Sequence, residues 1–69
     1  MKHHKFEGST SIASVRHDSK EKVLTVSFHS GSSYDFVNVP NEIFHNMIKA
    51  ESAGKFYHAN VRGKFDEVK

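Results

Sequence analysis

The chain has 69 residues, which limits it to one domain with a modest hydrophobic core. Ten lysine and arginine residues oppose eight acidic ones, and the formal net charge of +2 is too small to indicate a polyanionic partner by itself. There is no cysteine, so a helix packed on a sheet must stabilise the domain without disulfide bonds or thiolate metal sites. No segment approaches the roughly 18 consecutive apolar residues of a membrane span or contains a signal-peptide core, so we expect a cytoplasmic protein that contacts no membrane.

The beginning of the chain is polar and basic. We expect residues 1–8 to form a flexible lead-in to a single domain over residues 9–69. The first predicted strand, Ser11–His17, contains recurring β-branched residues and ends before the solvated cluster at residues 18–22.

Two further segments have the period-2 alternation of half-buried strands. These are Val23–Phe28 and Ser33–Val37, which are joined by a short loop containing Gly31. The alternation places an apolar set on the inward face: Leu24, Val26, Phe28, Tyr34 and Phe36. The opposite set forms a bare sheet face: Thr25, Ser27, His29, Ser33, Asp35 and Val37.

A helix is predicted to follow the third strand. Pro40 suits the first turn of a helix, and Asn41 and Glu42 place polar and acidic groups near its positive end. An apolar stripe then covers one face of the sheet: Ile43, Phe44, Met47 and Ile48. The pattern ends at residues 52–54, where Gly54 suits the left-handed conformation that terminates many helices.

The segment Lys55–Phe65 has no clear period, and it predicts either a short strand near residues 59–62 or an extended arm. The elements together predict an α+β fold. It consists of a small three-stranded antiparallel meander packed by one amphipathic helix, with a C-terminal extended segment or short strand.

Several short motifs occur in a fixed order: Tyr34-Asp35-Phe36, Val39-Pro40, Ala50-x-Ser52-x-Gly54-Lys55-Phe56 and Val61-Arg62. From about Ser9 to Phe65, their order and spacing resemble the KTSC domain, named for the C-terminal extension of some lysyl-tRNA synthetases. The central aromatic pair of that family is usually Tyr-x-Tyr, and Phe36 and Phe65 stand where tyrosine is common. The resemblance implies RNA binding, and we expect a free-standing copy of the domain.

Basic and flat side chains concentrate after the predicted helix. Cations neutralise phosphates, and flat rings stack on unpaired bases. Phe56, Tyr57 and His58 all offer flat rings. In an extended segment, neighbouring side chains alternate, so Tyr57 is predicted to face solvent and Phe56 to point elsewhere, where it could close the core. The predicted nucleic-acid-binding residues are Lys49, Lys55, Tyr57, Asn60, Arg62 and Lys64.

Catalysis and metal binding are not indicated by any motif. The six histidines are scattered over different elements without metal-ligand spacing, and no nucleophile elbow or phosphate loop is present. We therefore expect no enzyme activity, no metal site and no cofactor.

Two other functions stay open. The bare sheet face or an exposed strand edge could dock a protein partner. A small accessory protein could instead sequester a nucleotide-like ligand or inhibit another protein. We expect a monomer or a homodimer.

Overall fold

The computed structural model of the protein describes residues 2–8 and 10–68. Along the chain, the elements are β1 (Lys2–Lys5), β2 (Ile12–Asp18), β3 (Val23–Phe28), β4 (Ser33–Val37), α1 (Asn41–Lys49), α2 (Ala53–Asn60) and β5 (Asp66–Val68). Within the described ranges, the strands form one five-stranded sheet in the order β1-β2-β3-β4-β5. Every neighbouring pair is antiparallel.

The α+β class and the antiparallel sheet are confirmed, but the prediction of three strands is wrong. The three predicted strands correspond to β2, β3 and β4. A fourth strand, β1, forms within the predicted lead-in of residues 1–8 and pairs with β2. The fifth, β5, follows the predicted end of the motifs and pairs with β4. The predicted domain boundary at Ser9 lies outside the described residues, as do the terminal residues Met1 and Lys69.

The core lies between one face of the sheet and the two helices. Leu24 and Val26 on β3 are fully buried, and they pair with Phe36 and Tyr34 on β4. From α1, Phe44 and Met47 enter the same cluster, as the apolar stripe predicts. The remaining buried apolar residues are Ile12, Val15, Val39, Ala53, Tyr57 and Val61.

The predicted helix corresponds to α1, and a second helix, α2, forms where an extended segment was expected after Gly54, so that expectation is wrong. The Ser52 side chain accepts a hydrogen bond from the Lys55 backbone N–H at 3.3 Å, which caps the start of α2. Helical spacing then directs Ala53, Tyr57 and Val61 into the core. The short motif around Ser52 therefore begins a helix, whereas the apolar pattern predicts a helix end there.

Gly54 lies in the first turn of α2 and does not have the predicted left-handed conformation. A Cβ atom at this position would lie 2.8 Å from the Ser11 Oγ atom. The glycine therefore allows α2 to approach the segment that leads into β2. A left-handed glycine occurs instead at Gly63, where φ is +79° in the turn between α2 and β5.

His17 anchors the connection between the sheet and α1. It is fully buried on β2, and its Nε2 atom lies 2.7 Å from the Val39 carbonyl oxygen. Since a carbonyl only accepts hydrogen bonds, Nε2 carries the proton and donates it. The Val39 N–H in turn donates to the Lys22 carbonyl at 2.9 Å, and the His17 ring packs against Phe44. Both backbone groups of Val39 are thus used to position the chain just before α1.

We expect His17→Ala to lower the free energy of unfolding by about 2–4 kcal/mol, because it leaves a cavity and a buried carbonyl without its donor. Urea denaturation of the purified variant measures the change. His29→Ala is the matched control, because His29 is exposed, and its effect should stay within about 0.5 kcal/mol. Equal stabilities of the two variants would contradict an anchoring role for His17.

Candidate nucleic-acid interface

A cleft with a volume of about 340 Å³ lies where the β3–β4 turn approaches the end of α2 and the strand β5. Two serines of the turn, Ser30 and Ser32, line one part of it. The other lining side chains are aromatic or charged: Phe28, Tyr34, Tyr57, His58, Arg62 and Glu67. We call this set of residues the turn cleft.

Aromatic packing forms the inner wall of the turn cleft. The Tyr57 ring packs edge to face against Phe28, with 5.4 Å between ring centroids, and against Phe36 at 5.9 Å. Tyr57 is consequently only 5% exposed. The prediction that its ring faces solvent is wrong, because the segment is helical and residue 57 lies on the inward side of α2.

Tyr34 is the accessible aromatic ring of the turn cleft. Sequence alternation assigns both Tyr34 and Phe36 to the inward face, and Phe36 is buried as predicted, whereas Tyr34 is 36% exposed. Tyr34 lies beside the turn at the start of β4. The Phe28 ring supports it edge to face at a centroid distance of 5.7 Å.

His58, Arg62 and Glu67 reach the turn cleft from two parts of the chain. His58 belongs to α2, and Arg62 follows its last residue by two positions. Both side chains are exposed, as is Lys55 one turn earlier on the helix. Glu67 comes from β5, where it pairs with Phe36 and therefore faces the helix side of the sheet.

The Tyr57 hydroxyl lies within the electrostatic influence of these groups. Burial raises the pKa of Tyr57 above its ordinary value. The Glu67 carboxylate raises the pKa further, and the Arg62 guanidinium partly lowers it. An acidic and a basic side chain of the turn cleft therefore have opposite effects on the pKa of Tyr57.

The structure does not gather all six predicted binding residues into one site. Tyr57 and Arg62 line the turn cleft, whereas Lys55 lines a separate, shallower depression with Phe56 and Glu51. The Asn60 side-chain amide donates to the Phe56 carbonyl at 3.3 Å, so it caps its own helix. The other two cations, Lys49 at the end of α1 and Lys64 after Gly63, are exposed.

Within residues 2–8 and 10–68, no group of three or more histidine, aspartate or glutamate side chains could hold a metal ion. None of the helices described in these ranges is long and apolar enough to cross a membrane.

The sheet with two helices on one face defines a small α+β domain. The sequence model of the KTSC domain matches residues 8–65, and the chain belongs to this family. A solved KTSC domain protein from Yersinia pestis has a similar fold, with a TM-score of 0.89 and 26% sequence identity, over 99% of this chain and 94% of that one.

Similar segments occur in a small protein and in a large enzyme. A protein from Tsukamurella paurometabola is 33% identical over 60 residues, which is 87% of this chain and 90% of the relative. A lysine–tRNA ligase from Trichormus variabilis is 38% identical over 59 residues, which is 86% of this chain but 10% of the ligase. The KTSC domain is therefore also found as a small part of lysine–tRNA ligases.

The burial of Tyr57 predicts a measurable titration. In Tyr34→Phe protein, Tyr57 is the single remaining tyrosine, and its phenolate absorbance should have a midpoint above pH 10.0, its ordinary value. The free energy of unfolding should fall as the pH rises through this range, because the unfolded chain releases the proton more readily. In denaturant the midpoint should return to about 10. A native midpoint at or below 10 would contradict this environment of Tyr57.

Proposed function

We propose that this domain is a non-catalytic module that binds single-stranded RNA through the turn cleft. The observation that carries the proposal is the position of Tyr34, an exposed ring in the same cleft as Arg62 and His58. Tyr34 and Val68 are the large hydrophobic side chains that the described residues leave exposed. Of these two, only Tyr34 offers a flat surface.

The chemistry of the turn cleft suits an unpaired nucleotide. Stacking of a base on an aromatic side chain contributes about 1–3 kcal/mol and tolerates any base, since every base has a π face. Arg62 can pair with a phosphate through two parallel hydrogen bonds. The hydroxyls of Ser30 and Ser32 can donate to or accept from a ribose 2′-hydroxyl, which distinguishes RNA from DNA.

The relatives support RNA as the partner. A segment 38% identical to this chain belongs to an enzyme named for tRNA, lysine–tRNA ligase. The matched segment makes up 10% of that ligase, and we assign it a binding role by analogy with the nucleic acid that the enzyme's name contains. The cytoplasmic location stays a prediction of the sequence.

The proposal predicts that affinity for a fluorescently labelled oligouridylate falls steeply as the salt concentration rises. Arg62→Gln should weaken binding and reduce the slope of log affinity against log salt by about one. Tyr34→Leu should weaken binding by roughly 5- to 150-fold and leave that slope unchanged, because it removes stacking without removing charge. Fluorescence anisotropy titrations at several salt concentrations measure both effects.

Lys20→Gln is the matched control for charge. Lys20 is exposed in the β2–β3 turn, at the opposite end of β3 from the turn cleft. The Lys20→Gln variant loses the same unit of charge as Arg62→Gln. Because this charge lies away from the turn cleft, the variant should keep nearly all of the affinity for the oligouridylate. If Lys20→Gln and Arg62→Gln weaken binding equally, general electrostatic attraction explains the binding and the turn cleft does not.

A further inference from the structure

Glu67 is an unexpected residue in a cleft that would hold a polyanion. On β5, Asp66 and Val68 pair with residues of β4 whose side chains face away from the helices, whereas Glu67 pairs with the buried Phe36. Strand alternation therefore directs only Glu67, among the described residues of β5, to the helix side of the sheet. Its side chain lines the turn cleft together with Tyr34 and Arg62.

A carboxylate repels phosphate and only accepts hydrogen bonds, so its partner on a bound RNA must be a donor. Unpaired bases are recognised through their Watson–Crick edges. On that edge, guanine presents the N1–H and the 2-amino group side by side, which matches the two oxygens of a carboxylate. Adenine and cytosine present one amino group next to an acceptor nitrogen, and uracil presents one N–H between two carbonyl oxygens.

We infer that Glu67 makes the turn cleft selective for guanine, with the base stacked on Tyr34 and its Watson–Crick edge paired with the Glu67 carboxylate. This inference rests on the proposed function and names the base that the site prefers. Arg62 remains available for the phosphate backbone, so recognition and general affinity come from different side chains. Tyr57 lines the same cleft as Tyr34, Arg62 and Glu67.

The test compares three labelled oligouridylates that carry a single guanosine, inosine or adenosine at the centre. The native protein should bind the guanosine form about tenfold more tightly than the adenosine form, as expected for a bidentate contact. Inosine lacks the 2-amino group but keeps the N1–H, so its affinity should be intermediate. Glu67→Gln should reduce the guanosine preference to about threefold or less and retain salt-dependent binding.

Asp66→Asn is the matched control for Glu67→Gln. It removes the same charge one residue away on the same strand, but from the opposite face of the sheet. It should keep the full guanosine preference. Tyr34→Leu should weaken the binding of all three oligonucleotides, since every base stacks on the same ring.

The outcomes separate the inference from the proposed function. Equal affinities of the native protein for the three oligonucleotides, with a steep salt dependence, would overturn guanine selectivity and leave RNA binding intact. A guanosine preference that survives Glu67→Gln would also overturn the role of Glu67. If none of the three oligonucleotides binds measurably, the proposed function fails and the inference fails with it.

Discussion

The packing of Tyr57 between Phe28 and Phe36 is the contact on which the rest of the structure depends. It fixes α2 against β3 and β4, with ring centroids 5.4 and 5.9 Å apart. Because α2 is held there, the chain leaves the helix after Asn60, turns at Gly63 and adds β5 to the edge of the sheet. The turn cleft exists because the β3–β4 turn, the end of α2 and β5 meet around this ring.

The parts of the fold that the sequence predicts are those with a strong apolar period. Alternation over Val23–Phe28 and the stripe on α1 both correspond to buried faces, because burial of apolar surface dominates the choice of structure there. The strand Lys2–Lys5 consists of lysine and histidine and is held by backbone pairing with β2, which leaves no apolar pattern. The strand β5 is three residues long and exposed along its length, so its sequence is equally uninformative.

The site was less predictable than the fold, because it depends on how the segment after Ser52 folds. In an extended chain Tyr57 would alternate with Phe56, whereas in a helix Tyr57 joins Ala53 and Val61 on the buried side. Arg62 and His58 reach the turn cleft through this helix, and they were among the flat and basic residues that the sequence singled out. Tyr34 lies in the predicted β3–β4 hairpin, but alternation assigned it to the buried face. Glu67 enters the cleft through the pairing of β5 with β4, which is distant in sequence and which local patterns do not report.

The central claim is that RNA occupies the turn cleft. Titration of isotopically labelled protein with a guanosine-containing oligouridylate, followed through backbone amide NMR shifts, tests it most directly. We expect the largest changes at Ser32, Tyr34, Arg62 and Glu67, with little change on the opposite sheet face at Thr25 and Asp35, whose side chains hydrogen-bond to each other at 2.7 Å. Changes concentrated at Thr25 and Asp35, or the absence of any change, would contradict the account.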